Sequence, residues 1–275
     1  GCNNFGWRLD LAVTRKVIHA AFDAGITLFD TADIYGNRGG SETLMGQVLG
    51  DRRKDIVLAT KFAMPMDEAE RLKGASRRYI VQAVEASLTR LKTDWIDLYQ
   101  QHRYDPLTPI DETLRALEDL IRAGKVRYAG CSNFAGWQVM DAHWTAKTAG
   151  LSGFVSCQDE YSLLSRGHEK ELIPAAKAAG MGLLPYFPLA AGMLTGKYRR
   201  NAAMPAGTRI ADNKRYQDRY FNDQSWGVVE KLGDFAAARG HDMVELAFSW
   251  LAAKAPVASV IAGATSPEQV AVNAK

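Results

Sequence analysis

Apolar residues recur along this chain in two spacings, three to four residues apart in long segments and nearly continuous in short ones. Val17, Ile18, Ala21 and Phe22 recur at helix spacing behind Thr14, which reads as the cap, and Gly25 closes the segment. Residues 27–31 then read as a strand. Ser41 opens a helix through Leu44, Met45, Val48 and Leu49, and residues 55–62 (DIVLATKF) form an apolar run of strand length. The alternation continues. Helices are predicted at 76–91, 110–123, 137–149 and 172–179, and strands at 95–102, 125–133, 154–160 and 181–189. Periodicity then disappears from Ala190 to about Ser225, a stretch rich in Gly, Arg, Asn, Asp and Tyr. Helices at 227–238 and 243–253, a short strand at 257–262 and a helix from Pro267 complete the chain.

Strand and helix alternate about eight times, the strands look buried on both faces, and no internal linker interrupts them. This predicts one domain over residues 1–275, a closed parallel (β/α)8 TIM barrel of the α/β class. A doubly wound open sheet is the competing fold, and the absence of a GxGxxG after the first strand argues against it. The chain opens at Gly1 without a Met and stops at Lys275 inside a helical pattern, so pieces are expected to be missing at both ends. The irregular 190–225 segment is too long for an idle connection in a compact domain.

Composition narrows the function classes. A net charge of +3 over 275 residues, with Lys and Arg scattered among Asp and Glu, gives no nucleic-acid footprint. Three cysteines without CxxC spacing read as reduced thiols of a cytoplasmic protein. No apolar run approaches a membrane span, and no HExxH or comparable spacing suggests a metal.

The candidate chemistry starts at TLFDTADIYG, which places the Asp30 carboxylate at a strand end and the Tyr35 phenol in the following loop. A phenol near its ordinary pKa of ~10 donates a proton poorly at neutral pH, so a catalytic Tyr needs a cation beside it. In a barrel, residues at the ends of consecutive strands meet at one face. Lys61 ends the next strand and is the cation expected to pair with Asp30 and lower the Tyr35 pKa. His102 ends the strand after that and can orient a carbonyl oxygen. Taken singly, Tyr35 could be a lid on a turn and His102 a packed core histidine.

The motifs FDTADIYG, ATK at Lys61, QHRYDP at His102, GCSNF, PLAAGMLTGKY and GATSPEQ follow one another in an order that resembles the aldo-keto reductases across nearly the whole chain. The QHRYDP and GMLTGKY forms are similar to the bacterial reductases and the potassium-channel β subunits. The resemblance implies NADP(H)-dependent reduction of a small-molecule aldehyde or ketone, with NAD(H) as the other cofactor choice. The alternative it implies is a nicotinamide-sensing regulatory subunit. The family's catalytic tetrad falls on Asp30, Tyr35, Lys61 and His102. Its cofactor contacts fall on Ser132, Asn133 and Gln158 at the carboxamide and on Tyr186 against the nicotinamide ring. Leu189, Gly192, Leu194, Gly196, Lys197 and Arg209 would follow the phosphates, with the 190–225 loop over them. Gly263, Thr265, Gln269 and Asn273 would surround the adenosine. Phe187, Ala262 and Val272 depart from the family pattern. Trp7, Phe62, Arg103 and Tyr104 adjoin the site in sequence and are expected to line a substrate pocket.

Overall fold

The computed structural model describes residues 1–275. Six parallel strands run in chain order through one sheet: β1 (Leu28–Asp30), β2 (Val57–Phe62), β3 (Ile96–Gln101), β4 (Val126–Ser132), β5 (Phe154–Gln158) and β6 (Gly182–Leu183). Their partners are α1 (Leu11–Asp23), α2 (Tyr35–Val48), α3 (Arg77–Leu91), α4 (Ile110–Arg122), α5 (Gly136–Ala149) and α6 (Leu172–Ala178). Beyond β6 the sheet continues through single parallel bridges, Leu183 to Val257 and Tyr186 to Ile261. It then closes. Gly1 N donates to the Ala262 carbonyl (2.8 Å) and Cys2 N to the Asp30 carbonyl (2.7 Å), so residues 1–2 bridge the last segment to β1.

A parallel sheet closed this way must bury both faces, and the apolar residues divide accordingly. The largest core lies between β2–β5 and the helices α3–α6, around Ile80, Val84, Tyr99, Leu117 and Phe134. A second packs α1 and α2 against β1 and β2 around Ile18, Phe29, Met45 and Leu58. Inside the barrel Ala59, Leu98, Leu184 and Ile261 form a small apolar layer. Polar side chains sit directly above it.

Several boundaries differ from the sequence expectation, each for a local reason. The cap of α1 is Asp10, which accepts from Val13 N at 2.9 Å, and Thr14 is buried inside the helix. The chain after Tyr35 is a left-handed coil from Gly36 to Gly39, and only beyond it does α2 become regular. A Cβ on Gly36 would stand 2.5 Å from the Phe5 carbonyl oxygen and from Ser41 N, so glycine alone permits this tight exit. Strand β6 is two residues long rather than nine, since Pro185 and Pro188 have no N–H to extend the ladder. The 257–262 strand is reduced to its two bridges.

The 190–225 segment is more ordered than its composition suggests. It holds a 3-10 turn (Ala190–Thr195), α7 (Lys214–Tyr220) capped by Asn213, and the start of α8 (Asp223–Ala237) capped by Asn222. Leu194, Tyr198, Ile210, Tyr220 and Trp226 form a satellite core beneath it with α9 (Met243–Ala252). The apolar residues of that core are spaced too irregularly to show as a period. The last helix, α10 (Pro267–Asn273), is capped by Ser266. No helix is long and apolar enough to cross a membrane.

Candidate active site

Strand alternation builds the floor of the site. Asp30 pairs in register with Ala59, and Lys61 lies two residues beyond Ala59, so Asp30 and Lys61 share the inward face. Lys61 Nζ donates to Asp30 Oδ1 (2.7 Å), Asp30 Oδ2 (2.8 Å) and the Thr31 carbonyl (2.9 Å), and Lys61 is wholly buried. All three ammonium protons are thereby placed. Asp30 Oδ1 also accepts from Gln158 Nε2 (2.8 Å) and Gln100 Nε2 (3.2 Å). Sequence reading missed Gln100, although it sits two residues before His102 and strand parity predicts that it faces inward.

Tyr35 and His102 stand over this pair. Their rings meet edge to face at 5.6 Å, and Lys61 Nζ is 5.2 Å from the Tyr35 ring centre. His102 is anchored by its backbone, with N donating to the Phe62 carbonyl at 2.9 Å and its own carbonyl accepting from Asn133 Nδ2 at 3.0 Å. Its Nδ1 is buried without a partner.

Burial would raise the Asp30 carboxyl, but the Lys61 charge overcomes it and holds the group below the usual carboxylate range. Burial likewise lowers Lys61, and Asp30 reverses this, leaving the ammonium more firmly protonated than usual. Burial pushes His102 down to about 3, with Lys61 adding to the effect, so the imidazole is neutral at pH 7. For Tyr35 the expected direction is corrected. Burial raises its pKa, Lys61 pulls it down and Asp30 pushes it back, and the net shift is upward. Burial is the largest of these effects, and Asp30 offsets part of the pull that Lys61 exerts.

A cleft of about 1020 Å3 opens over Asp30, Tyr35 and His102. Ser132, Asn133, Gln158 and Tyr186 line it near the floor. Tyr186 Oη donates to Asn133 Oδ1 (2.7 Å) and Asn133 Nδ2 to Ser132 Oγ (3.0 Å), a connected edge made possible by the left-handed backbone of Asn133. Leu189, Gly192, Lys197 and Arg209 line the cleft further out, and Gly263, Thr265, Gln269 and Asn273 line its far end. Thr265 N and Oγ1 both donate to Gln269 Oε1 (2.9 and 3.1 Å).

Six expected residues are placed elsewhere. Phe62 follows Lys61 on the strand and so points to the helix side, packed on Tyr99 at 4.8 Å. Tyr104 packs edge-on against Phe134 and Trp137, and Arg103 is exposed off the cleft. Trp7 is 67% exposed beneath the Arg8 guanidinium. Leu194 is wholly buried in the satellite core, and Gly196 ends the 3-10 turn away from the lining, where its neighbours Thr195 and Lys197 reach the cleft. The cleft instead recruits Asn4, Arg8, Ile34, Met64 and Tyr216. Arg8 is ion-paired with Asp212 at 2.5 Å.

Asp33, three residues beyond Asp30, is buried with neither carboxylate oxygen hydrogen-bonded. Burial, reinforced by Glu42, raises it well above the ordinary range. An acid raised on folding contributes its full stability below its unfolded pKa of ~3.9 and loses it as pH rises toward the folded value. Asp33→Asn should therefore gain stability over the wild type by about 1.4 kcal/mol per pH unit across that window. Chemical unfolding of both proteins at pH 4 and pH 8 checks this: the gap should be near its smallest at pH 4.

The sequence pattern of the aldo/keto reductase family matches residues 1–275, and the chain belongs to that family. It is accordingly an oxidoreductase-type (β/α)8 barrel of a family that acts on small carbonyl compounds. It is 37% identical over 277 residues to a probable voltage-gated potassium channel subunit beta of Oryza sativa subsp. japonica, covering 98% of this chain and 84% of the rice protein. It is also 37% identical over 280 residues to the uncharacterized oxidoreductase YrpG of Bacillus subtilis (strain 168), covering 98% and 83%. Aldo-keto reductase dtxS3 of Metarhizium robertsii is 34% identical over 270 residues, covering 89% of this chain and 72% of the fungal protein.

Proposed function

We propose that the cleft reduces an aldehyde or ketone to the alcohol with NADP(H), and that Tyr35 delivers the proton. The carrying observation is the buried Asp30–Lys61 pair beneath the Tyr35 phenol and the neutral His102 imidazole. The cleft volume is at the upper end for ligand sites, in keeping with a dinucleotide. Its chemistry also suits a polyanion. Lys197 is lowered by burial and then by Arg209 and Arg8, so no carboxylate offsets its charge. Arg209 is lowered first by burial, and its guanidinium donates to the neutral Asn4 Oδ1 at 3.2 Å and lies over the Phe187 ring, with no carboxylate paired to it.

Ser132 and Asn133 would hold the carboxamide, Tyr186 the ring, and Lys197 and Arg209 the phosphates. When bound, the reduced cofactor supplies a hydride for the carbonyl carbon. His102 donates a hydrogen bond from a ring nitrogen to the substrate oxygen and orients it. Tyr35 Oη gives its proton to the developing alkoxide. Lys61 stabilises the phenolate left behind, and Asp30 keeps Lys61 charged. NADPH consumption across a panel of aldehydes, ketones and sugars tests the proposal, which predicts turnover on at least one of them.

Similarity to the rice protein supports a second reading, a subunit that senses nicotinamide for a partner. Tight NADPH binding with no turnover across the panel would favour that role instead.

The cofactor preference should be for NADPH, but narrow. Ala264, Thr265 and Gln269 are neutral, and the Thr265 hydroxyl proton is already given to Gln269. Positive charge reaches this end from Arg209, through Asn4, whose Nδ2 contacts the Ala264 carbonyl at 3.4 Å, while the Glu268 carboxylate lines the same end and opposes a phosphate. One charge-assisted contact corresponds to a preference on the order of tenfold to a hundredfold. Fluorescence titration of NADPH and NADH should show this ratio, shrinking with salt and nearly lost in Arg209→Gln. Equal affinities in the wild type would reject it.

A further inference from the structure

The 190–225 segment supplies Leu189-adjacent backbone, Lys197, Thr208 and Arg209 to the cleft, and it packs on a satellite core shared with α8, α9 and Leu163 and Leu164 of the β5–α6 loop. That apolar packing is non-directional, so polar contacts are needed to set how the unit sits on the strands. Only a few polar contacts cross between them. Arg8 to Asp212 is half-exposed, and Arg209 to Asn4 is a longer bond, 3.2 Å, to an uncharged acceptor. The third lies under the segment. Glu160, two residues beyond β5 and 7% exposed, accepts on Oε1 from Tyr220 Oη at 2.5 Å and is ion-paired through the same oxygen with Arg219 at 2.8 Å. Tyr220 is 2% exposed and belongs to the satellite core, and Arg219 also donates to Ser165 Oγ at 3.4 Å on the β5–α6 loop.

The barrel side of this contact is tied to the reaction floor. Glu160 is bridged to Tyr186, Tyr186 N donates to the Asp159 carbonyl, and Gln158 on the same strand end bonds Asp30. One carboxylate therefore connects the strand ends bearing Gln158 and Tyr186 to the helix that terminates the segment bearing Lys197 and Arg209. The Tyr220–Glu160 bond is charge-assisted and buried at both ends, so solvent screens it less than the half-exposed Arg8–Asp212 pair, while the Arg219 side chain beside it is 44% accessible.

We propose that Glu160 is a positioning residue, the pin that holds the 190–225 segment on the barrel and so sets how long the cofactor is retained. It touches no reacting atom. The inference rests on the cofactor reading above, but its mechanical part does not. Withdrawing the charge releases α7, the cations it holds over the cleft move more freely, and the cofactor leaves sooner, while the Tyr35 chemistry is untouched.

The test uses Glu160→Gln, which keeps the shape and one acceptor, and Tyr220→Phe, which removes the buried donor while leaving Glu160 paired with Arg219. Hydrogen exchange on the free proteins should be about tenfold faster at amides within 190–220 and unchanged in β2–β4, the size expected for losing one charge-assisted bond. Stopped-flow release of NADPH should accelerate by a similar factor, and KM for NADPH should rise with kcat not lowered. Exchange rising evenly through the barrel would mean that Glu160 only contributes to global stability, and the proposal falls. Wild-type exchange and release rates in both variants also overturn it. If the wild-type chain itself fails to bind NADPH, the cofactor reading fails, and the exchange comparison still decides whether the pin exists.

Discussion

Tyr35→Phe should lower turnover by at least ~100-fold while NADPH affinity stays within about twofold of the wild type. The substitution removes one oxygen and little else. The ring would keep its edge-to-face contact with His102 and its place 5.2 Å from Lys61 Nζ, since both depend on ring position rather than on the hydroxyl. Lys61 already has three acceptors in Asp30 and the Thr31 carbonyl, so losing the phenol does not leave its charge unsatisfied. The folded state should be as stable as before, and kcat and kcat/KM should fall together. Steady-state kinetics with a fluorescence titration of NADPH checks both halves. Near wild-type turnover would show that another group donates the proton, and His102 or a water would have to be considered.

How far the site was legible in the sequence follows from strand geometry. Asp30, Lys61 and His102 end consecutive strands, and a parallel barrel brings such residues together whatever the loops do, so three of the four floor residues could be placed without coordinates. Phe62, Arg103 and Tyr104 show the limit of nearness in sequence. Phe62 is adjacent to Lys61, and the two-residue period of a strand sends it to the opposite side. Residues beyond the strand end obey no period, so the burial of Tyr104 against Phe134 and Trp137 could not be foreseen. The same holds for α7. Its seven residues are mostly charged, and what orders them is the burial of Tyr220 against a core assembled from distant segments. Arg8 and Asn4 carried no motif at all, and only the closure of residues 1–2 beside β1 brings them to the cleft.

The upward shift of Tyr35 has a different physical origin. A lysine beside a phenol lowers its pKa only as far as the lysine field is uncompensated. Asp30 binds Lys61 through both oxygens, and burial then dominates. This makes the ion pair the feature on which stability and chemistry most depend, and removing half of it should have two separable effects. Lys61→Met keeps the stem and deletes the charge, leaving Asp30 as a buried carboxylate held only by Gln100 and Gln158. Breaking a buried pair from one side costs about 3 to 5 kcal/mol. Asp30→Asn strands the ammonium and should cost a similar amount, whereas Asp30→Asn with Lys61→Met removes both charges and should be less destabilised than the sum by several kcal/mol. The sign with pH follows from Asp30, whose folded value is depressed. Its pairing stabilises the wild type above the unfolded pKa of ~3.9 and is lost as pH falls through the folded value. In Lys61→Met the orphaned carboxylate takes up a proton more readily, so the deficit relative to wild type should narrow toward acid. Activity should fall as well, and the alkaline limb of the pH–rate profile should move upward, because Lys61 is the one group that pulls the Tyr35 pKa down. Urea unfolding of all four proteins at two pH values, with the rate profile of Lys61→Met, decides the matter. Strict additivity would mean that the two charges do not depend on each other, and an unmoved profile would leave Lys61 a structural partner of Asp30 only.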